Sequence, residues 1–212
     1  LFRNKDGSIK DILEDVEGFK FSENPMDFFI ILARYKFASR FIRKTQSVID
    51  VGCGHGMGSI FLANYCESVV ATDIDKEMID LNAKRYSDIE NLEFREFDIL
   101  HPDNTLLGKF DALVSLDVIE HFDSEGIHKV VNTYSDLLND TGFAVVGTPN
   151  INSRPYASQR RLDTHEHEFS HDEFENVLLE NFGNVFLFSM TDEVVSTSFP
   201  SLAWYLMAIC TK

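Results

Sequence analysis

The chain has 212 residues, a length that suits one domain of ordinary size with enough chain to bury a core. Apolar residues make up 44% and charged residues 25%, which is globular rather than disordered composition. Acids outnumber bases 35 to 19, and a net charge of −16 repels phosphate backbones and anionic lipid surfaces. General nucleic-acid binding and membrane insertion are therefore not expected. The three cysteines, Cys53, Cys66 and Cys210, are odd in number and lack a Cys-x-x-Cys spacing. That disfavours a disulfide framework or a cysteine-rich metal site and suits a reducing, cytoplasmic compartment. The longest apolar run near the end, Leu202 to Cys210, is nine residues, too short to span a bilayer.

Residues 1–24 are polar and mixed and read as an arm or a short helix. Pro25 opens a helical stretch from Met26 to Arg43, because proline is well placed in a first turn. From there strand and helix periods alternate. The strands expected are Ser47 to Val51, Ser68 to Thr72 closed by Asp73, Leu92 to Phe97 closed by Asp98, Phe110 to Leu116, Gly142 to Gly147 and Val185 to Ser189. The helices between them are Met57 to Tyr65, Lys76 to Tyr86, Gly126 to Leu138 and Asp172 to Asn181. Residues 149–169 read as a polar connection, and Ser201 to Thr211 as a strand or a buried helix. Alternation of this kind implies a doubly wound α/β sheet, mostly parallel, covered on both faces. Ligands of such sheets sit beyond the carboxyl ends of the strands, so the residues just after each strand are the ones to inspect.

Val48-Ile-Asp-Val-Gly-Cys-Gly-His-Gly56 places Gly52, Gly54 and Gly56 between a strand and a helix, where glycine permits a tight turn and close approach of a ligand. The Gly-x-Gly-x-Gly spacing differs from the dinucleotide pattern and speaks against a nicotinamide dehydrogenase. Asp50 stands where a carboxylate can meet an ammonium group. Asp73, 17 residues after Gly56, can accept from two ribose hydroxyls, and Asp98 with Ile99 can reach an adenine edge. Together they describe a site for a nucleoside with an amino-acid tail.

These motifs, with Val70-Ala-Thr-Asp-Ile-Asp75, Glu96-Phe-Asp-Ile99 and Phe110-Asp-Ala-Leu-Val-Ser-Leu-Asp-Val-Ile-Glu-His121, resemble those of class I S-adenosylmethionine-dependent methyltransferases. The resemblance implies a seven-stranded sheet with an antiparallel last strand. It divides the chain into an arm and lid helix (1–46), a cofactor-binding core (47–148) and a substrate-side remainder (149–212) of one domain. It implies S-adenosyl-L-methionine as cofactor, with Asp50, Gly52, Cys53, Gly54, Gly56 and Leu116 on the methionine side. Asp73 would bind ribose, Ile74 and Ile99 would pack near adenine, and Asp98 would meet its amine. The back third, from Gly147 onward, resembles more loosely a bacterial subgroup associated with surface-polysaccharide and other sugar pathways.

Leu116-Asp-Val-Ile-Glu-His121 follows the strand bordering the reacting methyl. A hydroxyl acceptor needs a base, and histidine suits neutral pH, so His121 is the candidate, with His167 of the connection as a second catalytic histidine. The expected acceptor is a small polar molecule, a hydroxyl of a sugar or nucleotide-linked metabolite. Arg154, Arg160 and Arg161 stand out on an acidic chain and could meet a phosphate or carboxylate. No resident metal is expected. The alternative is a metal-assisted RNA 2′-O-methyltransferase using Asp117, Glu120 and His121 with His165 or His167, a pattern similar to the small-RNA 3′-end enzymes, though Asp117 replaces their Glu. A non-catalytic cofactor-binding subunit of the same fold is the third reading.

Overall fold

The computed structural model describes residues 25–102 and 108–212; the expected arm at 1–24 lies outside them. The elements in chain order are α1 (Pro25–Ser39), β1 (Ser47–Val51), α2 (Met57–Ala63), β2 (Ser68–Asp73), α3 (Lys76–Arg85), β3 (Leu92–Glu96), β4 (Phe110–Leu116), α4 (Ser124–Asp136), β5 (Leu138–Pro149), α5 (Gln159–Thr164), α6 (His171–Leu179), β6 (Asn184–Thr191), β7 (Val194–Ser196) and β8 (Tyr205–Thr211). Three short 3-10 turns, Ile119–His121, Ile151–Tyr156 and Pro200–Leu202, punctuate the carboxyl edge of the sheet.

The eight strands form one sheet in the order β3-β2-β1-β4-β5-β8-β6-β7. β1 to β5 run parallel, β8 is antiparallel to both β5 and β6, and β7 is antiparallel to β6. Consecutive residues of the central strands point into two different cores. Ile49, Leu113, Ala144 and Ala208 join α4 and α6 on one face. Val48, Ala112, Val145 and Met207 join α1, α2 and α3 on the other. Burial on both faces is why these strands read as continuous apolar runs. The chain walks outward from β1 to β3 and returns at β4, so the order reverses between β1 and β4. A crevice opens there at the carboxyl ends.

Several boundaries differ from expectation. The sheet has eight strands, not seven, because a three-residue strand, β7, pairs at the edge through Ser189↔Ser196 to Thr191↔Val194. The expectation had absorbed it into a connection, since three residues cannot establish a period. β5 begins four residues before Gly142, joining β4 through Phe110↔Leu138 before a register shift. α1 stops at Ser39, whose hydroxyl donates back to the Lys36 carbonyl. α4 starts at Ser124, because the Asp123 carboxylate caps Gly126 N–H at 2.8 Å. The polar connection holds helix α5, capped by Ser158, and the last apolar segment is strand β8. The capping box expected at Ser170 and Glu173 is present.

Helix α2 crosses α1 at Gly58, where an added Cβ would lie 1.9 Å from Tyr35 Cζ. Tyr35 is 5% exposed and held at its hydroxyl by Asp50, so the ring cannot swing away freely. Gly58→Ala is expected to destabilise by about 1–3 kcal/mol, read as a lower urea midpoint with an unchanged slope.

Candidate active site

The glycine turn is anchored before any ligand enters. The N–H groups of Gly52 and Cys53 both donate to Thr72 O, at 2.8 and 2.9 Å, tying the turn to β2. Gly52 has φ +75°, and a Cβ there would meet Val118 Cγ2 at 2.2 Å, so only glycine fits. Gly54 has φ +49° and nothing within 4 Å of where its Cβ would be. Its N–H donates to Asp73 Oδ2 at 2.9 Å and its carbonyl accepts from Asn82 Nδ2 at 2.7 Å. The turn therefore presents bare backbone to an open space, with a carboxylate at its rim.

Asp73 closes β2 and leaves Ile74 beside it 68% exposed, an apolar side chain left largely uncovered by the described residues. Asp98, after β3, accepts from Leu100 N–H at 2.9 Å and faces His101 Nδ1 at 2.9 Å. The bond to His101 holds the Asp98 carboxyl below its ordinary range, so it stays ionised. An open backbone cradle, a rim carboxylate, an exposed apolar face and a second ionised acid fit a nucleoside with a polar tail.

Four of the expected cofactor contacts are buried side chains. Asp50 is fully buried, and its oxygens accept from Ser59 Oγ at 2.6 Å and Tyr35 Oη at 3.3 Å. It holds α1 and α2 to β1 instead of presenting a carboxylate to solvent. Ile99 is buried in the α4-side core, with its carbonyl accepting from Thr133 Oγ1 at 3.2 Å. Cys53 and Leu116 are buried below the turn, in the α1-side core. They support the cradle from beneath.

On the other side of β4 lies a cavity of about 990 Å³, walled by α1, the Ile151–Tyr156 turn, α5 and the ends of β6 and β8. At its boundary with the glycine turn stands Asp117, directly after β4, in left-handed backbone (φ +58°). A non-glycine residue there is strained unless its surroundings hold it. Its N–H donates to Gly147 O at 3.0 Å, and its carboxylate takes Arg34 Nη1 at 2.5 Å. The Arg34 guanidinium also lies 3.6 Å from the centroid of the Tyr205 ring. Burial alone would lower Arg34, but Asp117, Tyr205 and Glu120 outweigh it and keep it above its ordinary range. The expected lid helix thus borders this cavity, contributing Ile30, Ile31 and Arg34 to its wall.

Glu120 lies beneath, wholly buried, with Oε2 accepting from Thr148 Oγ1 at 3.1 Å and Oε1 without a hydrogen-bond partner among the described residues. Burial and then Asp117 push its carboxyl well above its ordinary range. His121 is exposed on the cavity wall, and its Nδ1 lies 2.8 Å from Thr164 O. Since a carbonyl only accepts, Nδ1 carries the hydrogen and Nε2 keeps its lone pair.

The residue brought beside His121 is His165, with ring centroids 5.0 Å apart and planes at 85°. Burial and then His121 lower the His165 pKa. His167, the expected second catalytic histidine, is not on the cavity wall. Its backbone N–H donates to Glu120 O at 3.1 Å and its ring packs on Phe169.

Residues 49–144 match the family model of a methyltransferase domain. The chloroplastic magnesium protoporphyrin IX methyltransferase of Arabidopsis thaliana is 39% identical over 79 residues, 36% of this chain and 24% of its own length. The N-methyltransferase NodS from Bradyrhizobium japonicum WM9, solved with S-adenosyl-L-homocysteine, shares the fold with a TM-score of 0.64 at 16% identity, over 95% of this chain and 94% of its own. The small RNA methyltransferase HEN1 gives 0.69 at 21% identity, over 86% and 25%. The chain spans 24% to 47% of the first curated relatives it matches. In this chain the glycine turn, Asp73, Ile74 and Asp98 lie together at the carboxyl ends of β1 to β3.

Burial raises Asp50 to about 7, against the hydrogen bonds of Ser59 and Tyr35 that lower it. A carboxyl that is more basic folded than unfolded contributes stability below its unfolded pKa, near about 4, which is lost as pH rises through about 7. The wild type should therefore lose up to about 4 kcal/mol of stability between pH 4 and 8 that Asp50→Asn does not lose, read from urea unfolding of both proteins across that range.

Proposed function

We propose that this protein is an S-adenosylmethionine-dependent O-methyltransferase acting in the cytoplasm on a small polar acceptor, a hydroxyl of a sugar or nucleotide-linked metabolite. The observation that carries the reading is the position of Asp117. It stands between a cradle suited to the cofactor and an open cavity that has a histidine on its wall. When bound, S-adenosylmethionine supplies a methyl already activated on a sulfonium. The chain then has to position and to remove a proton, and positioning supplies much of the rate. The Gly52–Gly56 turn and the Asp73 and Asp98 carboxylates hold the donor side. His121 Nε2 takes the acceptor proton, while Thr164 O holds the ring in the right tautomer. No helix of the described residues is long and apolar enough to cross a membrane. The three cysteines are free and buried, which suits a reducing compartment.

One observation favours a second reading, in which a divalent ion takes part. Glu120, His121 and His165 each offer a ligand atom, and these atoms lie within 4.8 Å of one another. Glu120 Oε1 is buried there without a hydrogen-bond partner among the described residues. The residue types suit a divalent ion, and His121 would then be a ligand instead of the base. An RNA 2′-hydroxyl as acceptor, the corresponding alternative, is opposed by the net charge of −16.

Calorimetric titration with S-adenosylmethionine tests the donor side: Asp73→Ala should weaken binding at least about tenfold, or about 1.4 kcal/mol. His121→Ala should leave that affinity unchanged and lower turnover by about 10²–10⁴. Unchanged turnover contradicts the base assignment. Chelator leaves activity intact under the first reading and abolishes it under the second.

A further inference from the structure

The charges on the cavity wall are unequal in one respect. Arg34 is committed to Asp117. Arg161 is committed to Glu168, with Nε 2.7 Å from Oε1 and Nη2 2.9 Å from Ser153 Oγ and 3.3 Å from Asn150 O. Arg154, behind the wall, lies 3.5 Å from the other oxygen of the same buried carboxylate. Two of the three arginines that the sequence singles out therefore face the single carboxylate of Glu168. Asp192 is the remaining acid on the wall. Arg160 also lines the cavity, and its side chain makes no hydrogen bond or ion pair among the described residues. On a chain of net charge −16, an uncommitted guanidinium facing a cavity is a site for an anion.

The same wall carries two large aromatic side chains that the fold leaves uncovered. Tyr156 is 88% exposed and Trp204 is 55% exposed, although both line the cavity. Each offers a flat amphipathic face that a ring can cover at low entropic cost. His121 lies on the same wall.

Building on the methyltransferase reading, we propose that the acceptor is an anionic ring compound. Its ring packs on Trp204 and Tyr156, its phosphate or carboxylate is held by Arg160, and its hydroxyl is thereby brought to His121. Arg160 and the two aromatics bind and orient, and take no part in the proton transfer.

Trp204 is the one tryptophan of the chain, so its fluorescence reports occupancy of this wall directly. Two pairs of probes that differ in charge would be titrated into the intact protein with S-adenosylhomocysteine present. They are glucose 1-phosphate against glucose, and 4-hydroxybenzoate against 4-hydroxybenzyl alcohol. The proposal expects the anionic member of at least one pair to bind at least about tenfold more tightly. Which pair responds distinguishes a phosphorylated sugar from an aromatic carboxylate. Arg160→Gln should abolish the preference and Arg160→Lys should restore part of it, with S-adenosylhomocysteine affinity unchanged in both. Equal binding of charged and neutral probes, a preference that survives Arg160→Gln, or no binding of any probe overturns the proposal. Failure of S-adenosylhomocysteine to bind is read separately by calorimetry and counts against the methyltransferase reading itself.

Discussion

The contact on which the site depends is the ion pair between Arg34 and Asp117 over the face of Tyr205. It joins a helix before the sheet, the turn after β4 and the start of β8, three parts remote in sequence. A buried guanidinium is costly without a counter-charge, and a non-glycine residue in left-handed backbone is costly without support. Each feature offsets the other here. Asp117 supplies the charge that Arg34 needs, and Arg34 with Gly147 O holds Asp117 in its strained position. Gly147 is part of the same arrangement, since a Cβ there would lie 2.6 Å from Tyr205 Cε1. The result is a rigid carboxylate at the point where the sheet order reverses.

Two halves of the sheet meet at that point and do different things. The parallel half, β3-β2-β1-β4, ends in short turns with acids and bare backbone. It offers hydrogen-bond acceptors and close approach, which suit a cofactor of fixed shape. The half built from β5, β8, β6 and β7 ends in longer segments, including the Ile151–Tyr156 turn and α5, that border a cavity. Longer connections let the acceptor wall vary without disturbing the cofactor cradle. Glu120 and Glu168 lie under that wall as buried acids, one beneath His121 with its carboxyl pushed up by burial, the other ion-paired with Arg161 and close to Arg154.

What was legible in the sequence was whatever depends on neighbours along the chain. The five parallel strands, the glycine turn and the capping box at Ser170 are local patterns of period, φ preference and side-chain reach, and each falls where its residues place it. What was not legible depends on partners far away. Asp50 reads as a ligand for an ammonium group, but Tyr35 and Ser59 occupy its oxygens. His167 and His165 are equivalent by composition, and only the path of the connection turns His165 toward His121. β7 is too short to carry a period and exists because β6 offers it an edge. The commitment of Arg161 to Glu168, seven residues on, leaves Arg160 as the uncommitted cation, a distinction that spacing alone cannot make.

The account's central claim is that cofactor and acceptor meet at Asp117. A crystal structure with S-adenosylhomocysteine bound tests it most directly. The account predicts the ribose hydroxyls at Asp73, the tail over Gly54 and the sulfur open to the cavity beside Asp117 and His121. A sulfur walled off from that cavity by the Arg34–Asp117 pair, or a ligand bound away from the glycine turn, would contradict it.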